Sequence, residues 1–204
     1  LGNKQCAALS GPGFAIELAK GMPTALTLAA DDTELGASLQ SMLSTEALRL
    51  YLSNDLLGVQ LGGALKNVFA IASGIVVGSN LGESARAAVI TRGFTELSRL
   101  TYSMGGKLDT LNGLSGFGDL TLSCTSQLSR NFCYGKQLAR SGNLNPGETV
   151  EGIDTALITL KLAEKYKVEM PIASQVALVL SGQTTVETAL SELMKRPLKS
   201  ENIT

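Results

Sequence analysis

The chain contains no histidine. That removes the side chain most often used as a general acid or base, the commonest metal ligand, and any Ser-His or Cys-His nucleophile pair. Proton chemistry must then fall to Lys, Asp, Glu, Tyr or Cys. Cysteine is scarce as well: Cys6, Cys124 and Cys133 form no CxxC pair and are odd in number, so neither a disulfide framework nor a zinc site is implied. A reducing cytoplasm fits this usage, and no metal is expected. Charge of one sign is not in surplus: the formal net charge is -1 over 204 residues and no dense run of Lys or Arg occurs. Nucleic acid and anionic membrane surfaces are therefore poor partners. Long apolar runs are also missing, because residues 68–72 and 75–77 are divided by Ser73 and Gly74. Each is far too short to span a bilayer, and no membrane insertion is expected. The chain has no initiator Met and no signal-peptide pattern, and reads as a piece of a longer protein.

What is present suits a folded core, with 44% hydrophobic residues. Residues 5–9 form a short apolar run ending at Ser10-Gly11-Pro12-Gly13, and residues 14–19 have helical character, so the order is strand, tight turn, helix. Such a turn lets a ligand approach the backbone and offers helix-start N–H groups to an anion, although it can equally be only a turn. Residues 24–29 are β-prone, Asp31-Asp32 supplies a helix cap, Leu35, Leu39, Met42 and Leu43 recur at helical spacing, and residues 48–52 read as another strand. Residues 1–54 are thus expected to be the β-α-β tail of a Rossmann-type α/β domain, with the boundary at Ser53-Asn54-Asp55. No G-x-G-x-x-G follows a strand, so any dinucleotide fingerprint lies upstream.

Beyond Asp55 the period is helical, and residues 55–204 are expected to form an all-α domain. Residues 58–78 are apolar and rich in small side chains, with one charge, Lys66, and an amide beside it, Asn67. Gly63, Lys66, Asn67, Ala70 and Gly74 can share a face whose small residues leave room for a ligand. An ammonium stripped of hydration gives up its proton more readily, which suits proton transfer. The bland alternative is a lysine snorkelling from a core helix. Ile90, Phe94, Leu97, Thr101 and Met104 mark the buried face of a second helix, with Arg92 and Glu96 paired at i, i+4 on another face.

Three polar segments are harder to explain by packing. The glycine-rich stretch 113–119 delivers Asp119 to a helical segment, either as an N-cap or as a group that holds an ammonium such as Lys66. Ser129-Arg130-Asn131 opens a helix that stops at Gly142, and a hydroxyl, a guanidinium and an amide at a helix start suit a dianionic phosphate. The loop 147–152 carries Glu148 and Glu151 ahead of a helix running to Tyr166. Thr184-x-x-Glu187 reads as a capping box for the last helix, and Lys195, Arg196 and Lys199 as a solvated tail.

In this order the segments resemble the NAD(P)-dependent glycerol-3-phosphate dehydrogenases of the bacterial soluble type. The resemblance rests on Leu9-Ser-Gly-Pro-Gly-Phe-Ala15, Gly58-Val-Gln-Leu-Gly-Gly-Ala-Leu-Lys-Asn67, Ile90-Thr-Arg-Gly93, Gly116-Phe-Gly-Asp-Leu120, Ser129-Arg-Asn131 and Val150-Glu-Gly152. It implies a mainly α fold: a helical substrate domain like that of 6-phosphogluconate dehydrogenase, preceded by the end of a truncated Rossmann domain. It also implies interconversion of dihydroxyacetone phosphate and sn-glycerol 3-phosphate with NAD or NADP, supplying phospholipid synthesis in the cytoplasm, in a homodimer.

On the resemblance, Lys66 is the proton donor or acceptor, with Asp119 holding it. Gly11, Gly13, Asn67, Ser129, Arg130 and Asn131 contact the phosphorylated substrate, and Ala15, Arg130, Thr149 and Glu151 contact the cofactor. Gly13 and Thr149 depart from the residue types usual in relatives, so only their backbones carry over. Because the cofactor loop is not in the chain, the resemblance implies little or no turnover by these residues alone. Two readings stay beside it: a related two-domain hydroxy-acid dehydrogenase, and a non-catalytic dimerisation or phosphate-binding module.

Overall fold

The computed structural model describes residues 5–142, 147 and 149–197. It opens with a three-stranded sheet in the order β1-β2-β3, formed by β1 (Ala7–Ser10), β2 (Thr24–Ala30) and β3 (Leu48–Ser53). A short helix, α1 (Ala15–Ala19), follows the β1 turn, and α2 (Thr33–Leu43) crosses between β2 and β3. β1 runs antiparallel to β2, whereas β2 and β3 are parallel, a pairing that needs a crossover such as α2. The Asp32 carboxylate accepts the Leu35 N–H at 2.8 Å and starts α2. Leu26, Leu28 and Leu50 form a small core under it.

The remaining described elements are helical. They are α3 (Leu56–Gly78), α4 (Glu83–Ser103), α5 (Leu108–Leu111), a π-helical turn (Leu114–Gly118), α6 (Asp119–Thr125), α7 (Arg130–Ser141), α8 (Glu151–Tyr166), α9 (Pro171–Leu180) and α10 (Val186–Met194). The molecule is mainly α, as the periodicity implies.

All of this is built round α3, which packs against α4, α6, α7, α8 and α9. Its cap is the buried Asp55, which accepts the Gly58 N–H at 2.9 Å and the Lys107 N–H at 2.8 Å. Ser73 and Gly74 do not interrupt it, contrary to the reading of two short apolar runs. The helix is continuous over 23 residues and is long and apolar enough to cross a membrane. Because 15 of those residues are buried against neighbouring helices, it serves here as the core of the fold.

The small residues of α3 also have a use other than the one expected. A Cβ on Gly74 would overlap the carbonyl oxygen of Phe132 in α7, and one on Gly135 of α7 would overlap the carbonyl oxygen of Ile71 in α3. The two helices therefore cross with backbones in contact, and Gly74 makes room for α7 rather than for a ligand. Cys124, fully buried beside this core, has its thiol pushed up to about 12, chiefly by burial, and is chemically quiet.

Glu96 does not pair with Arg92 on an outer face. It is 3% exposed, and its carboxylate accepts the N–H groups of Ile172 at 2.8 Å and Ala173 at 3.1 Å, clamping the start of α9 to α4. Burial pushes this carboxyl up to about 7, against the lowering effect of those N–H groups and of Arg196 and Arg92. With a folded pKa above the ordinary 4.5, the folded chain holds a proton that the unfolded chain has released between those two values. The group's contribution to stability is therefore complete below about 4.5 and is lost as pH rises through about 7. Urea unfolding should show the stability of the wild type relative to Glu96→Gln falling by roughly 2–3 kcal/mol between pH 5 and pH 8. An equal difference at the two pH values would remove this account of Glu96.

Two smaller points concern the end of the chain. The cap of α10 is Thr185, whose hydroxyl accepts the Thr188 N–H at 3.2 Å, one position beyond the expected Thr184. Arg196, exposed as expected of a solvated tail, also folds back to pair with the exposed Glu169 at 3.0 Å, while Lys199 lies outside the described residues.

Candidate active site

Lys66 leaves α3 where the helix surface is not covered, with its side chain 20% exposed. Its Nζ donates to Asp119 Oδ1 at 2.5 Å, and the Asp119 side chain is 4% exposed. The Asp119 carboxylate is not an N-cap: it is the first residue of α6 and points at α3. The preceding π-helical turn aims it there. A side chain on Gly116 would overlap the Leu111 carbonyl, and one on Gly62 of α3 would overlap the Ser115 carbonyl, so this turn lies directly on α3. Phe117 anchors the same turn by meeting Phe94 edge-on, with centroids 5.4 Å apart.

Burial pushes the Asp119 carboxyl above the ordinary carboxylate range, and the facing Lys66 ammonium pulls it back down. Two hydroxyls assist, Ser123 donating to Oδ1 and Ser10 donating to Oδ2, both at 3.4 Å. Neither serine was singled out on sequence. Ser123 stands one helical turn after Asp119, which is a readable signal, but Ser10 lies 109 residues away.

Beside Lys66 a second set of contacts joins three helices. Asn131 Nδ2 donates to Asn67 Oδ1 at 3.0 Å, and Asn131 Oδ1 accepts the Gly152 N–H at 2.9 Å. Arg130 forms an ion pair with Glu151, and both side chains remain open to solvent, 55% and 43% exposed. Ser129 caps α7 by accepting the Phe132 N–H at 3.3 Å. The Ser129-Arg130-Asn131 triplet is thus divided: Ser129 and Asn131 are buried and committed within the protein, and Arg130 faces outward.

Gly11 and Gly13 belong to the turn after β1. Gly11 is buried at φ 149°, with its Cα side close against Leu26. Pro12 lies next to Gly118, which sets the turn on the Asp119 side of the site. Ala15 and Thr149 are exposed and stand outside this hydrogen-bonded network, and Glu148 lies outside the described residues. Chemically, the arrangement offers an ammonium backed by a buried acid, a row of amides, and a solvent-facing guanidinium.

The described helices thus wrap round one buried helix that presents a part-exposed lysine backed by a buried acid. Residues 55–191 match the family model described as NAD-dependent glycerol-3-phosphate dehydrogenase C-terminus. The chain belongs to that family.

Among its relatives, the glycerol-3-phosphate dehydrogenase [NAD(P)+] of Ruegeria sp. (strain TM1040) is 53% identical over 96% of this chain and 61% of its own length. The enzyme of the same name from Paracoccus denitrificans (strain Pd 1222) is 51% identical over 96% of this chain and 62% of its own length. The crystal structure of glycerol-3-phosphate dehydrogenase from Coxiella burnetii superposes with a TM-score of 0.91 at 40% identity, covering 96% of this chain and 62% of that one. A Plasmodium falciparum glycerol-3-phosphate dehydrogenase, 20% identical, shares the fold with a TM-score of 0.86, covering 97% of this chain and 59% of that one. The chain spans about three-fifths of the length of the relatives it matches.

Proposed function

We propose that the chain provides the substrate side of an enzyme that interconverts dihydroxyacetone phosphate and sn-glycerol 3-phosphate with NAD(P)H. In this reading residues 1–54 are the end of the dinucleotide-binding α/β domain and residues 55–204 the substrate domain. The enzyme works in the cytoplasm as a homodimer and supplies glycerol 3-phosphate for phospholipid synthesis. The observation that carries the reading is the 2.5 Å pair between Lys66 and the buried Asp119, set beside Asn67 and near the outward-facing Arg130.

The solvent-facing pair fits part of a nicotinamide dinucleotide: Arg130 offers a guanidinium to a phosphate, and Glu151 a carboxylate to a hydroxyl or amide. On the family resemblance, the exposed backbones of Ala15 and Thr149 are further contacts for the dinucleotide. When bound, the nicotinamide supplies the hydride. The residues of the chain do the rest. Lys66 donates a proton to the substrate carbonyl oxygen as the hydride reaches the carbon, so that no full negative charge develops there. Asp119 keeps the ammonium aimed, and Asn67 aligns the substrate. In the oxidising direction Lys66 takes the hydroxyl proton back.

The phosphate falls to Arg130, the open start of α7, and backbone groups of Gly11 and Gly13. Of the four N–H groups at this helix start, Phe132's goes to the Ser129 hydroxyl and Ser129's to the Ser126 carbonyl, which leaves those of Arg130 and Asn131 for an anion. Asn131 contributes through its main chain, and Ser129 by shaping the site. An exposed ion pair such as Arg130–Glu151 is worth little, about 0–1 kcal/mol, so Arg130 can exchange its carboxylate for the phosphate at small cost.

Calorimetric titration of the chain with glycerol 3-phosphate, with glycerol as control, tests this. Arg130→Ala should weaken glycerol 3-phosphate binding about 10- to 100-fold, the value of a hydrogen-bonded charge, and leave glycerol unaffected. Unchanged affinity would mean that the phosphate lies elsewhere.

A further inference from the structure

We propose that Ser10 is a positioning residue for the reaction assigned above: its hydroxyl fixes the second oxygen of Asp119, so that the turn carrying Gly11 and Gly13 and the acid that holds Lys66 are set in place together. The inference rests on that reading of Lys66. Asp119 has two oxygens with different tasks. Oδ1 takes the Lys66 ammonium at 2.5 Å and the Ser123 hydroxyl at 3.4 Å, whereas Oδ2 takes the Ser10 hydroxyl at 3.4 Å. Without a donor at Oδ2 the carboxylate plane is free to turn about its last torsion, away from the angle at which Oδ1 meets Lys66.

The site is built to admit this hydroxyl. A Cβ on Gly63, one turn before Lys66 on α3, would lie 2.5 Å from Ser10 Oγ, so the missing side chain at position 63 is the space that the hydroxyl needs. The Ser10 backbone is fixed independently by its pairing with Thr27 at the end of β1, and Pro12 two residues on packs beside Gly118, next to Asp119. Ser10 therefore ties the sheet to the acid, while Ser123 ties the acid only to its own helix. At 3.4 Å the bond is long for a hydroxyl and a carboxylate.

The direct measurement is NMR titration of the carbon-13-labelled Asp119 carboxyl in this chain, with no ligand added. A hydroxyl donating to a carboxylate favours its charged form, so Ser10→Ala should move the Asp119 midpoint to higher pH and Ser10→Thr should restore it. Gly63→Ala should move it in the same direction by displacing the hydroxyl, and the double variant no further than either single one. In the complete enzyme Ser10→Ala should lower kcat about tenfold with KM changed less than about twofold. An Asp119 midpoint that stays in place in a folded Ser10→Ala chain, checked by circular dichroism, overturns the inference even if Lys66→Ala abolishes turnover. Full turnover by Lys66→Ala would instead remove the reading of the reaction, and the titration result separately decides the Ser10–Asp119 link.

Discussion

In the complete dehydrogenase, Lys66→Ala should lower kcat by about 10²- to 10⁴-fold, the usual contribution of a positioned acid. KM for dihydroxyacetone phosphate should change far less, because phosphate binding is assigned to Arg130 and the start of α7. The expectation rests on the setting of this one residue. Lys66 is the charged residue of α3, and its ammonium is held at 2.5 Å by a carboxylate whose side chain is 4% exposed. Arginine at position 66 keeps a positive charge but does not release a proton, so Lys66→Arg should be nearly as inactive as Lys66→Ala. Steady-state oxidation of NADH or NADPH measures both variants. A fully active Lys66→Ala enzyme would return the residue to the status of a lysine snorkelling from a core helix.

The second large effect concerns stability. Gly74→Ala should cost about 3 kcal/mol in urea unfolding, because even one methyl group at this position forces α3 and α7 apart. The gain in helix propensity from glycine to alanine, about 1 kcal/mol, does not offset that. Gly135→Ala enters the same crossing from the other side, so the double variant should cost less than the sum of the two. Gly36→Ala in α2 is the control: its nearest neighbours would lie at 3.5 and 3.6 Å, ordinary contact distances, and it should be neutral or slightly stabilising. A Gly74→Ala chain as stable as the wild type would mean that the helices do not touch there. The crossing also matters for the site, since the start of α7 carries Arg130 and Asn131 toward α3.

Local signals were the legible part of this molecule. A serine before a helix and a glycine after it mark α7, because capping is decided within a few residues: Ser129 accepts the Phe132 N–H, and Gly142 takes the left-handed conformation. The change of period at Asp55 is local in the same sense, and that residue does start α3.

Polar residues whose partners are distant in the chain were not legible in the same way. Arg92 and Glu96 have the spacing of a surface pair, and nothing nearby reveals that Glu96 will meet Ile172, 76 residues on. Asp119 after a glycine-rich stretch reads either as a cap or as a holder of Lys66, and local spacing does not choose between them because that partner is 53 residues earlier. Glycines on α3 are equally ambiguous, since an absent side chain can admit a ligand, a serine hydroxyl or another helix. Gly63 and Gly74 prove to be the last two.

The separations between partners also govern when the site can come into being. Ser10 and Asp119 are 109 residues apart, Asn67 and Asn131 are 64 apart, and Arg130 and Glu151 are 21 apart. Each link closes a loop whose entropy is lost before the contact repays it. A nascent chain ending before Asp119 has Lys66 but no acid to hold it, and one ending before Glu151 has neither the Arg130 pair nor the Gly152 tie to Asn131. During synthesis on the ribosome α3 is made before any of these partners, and Lys66 meets its acid only after more than half of this chain has been made.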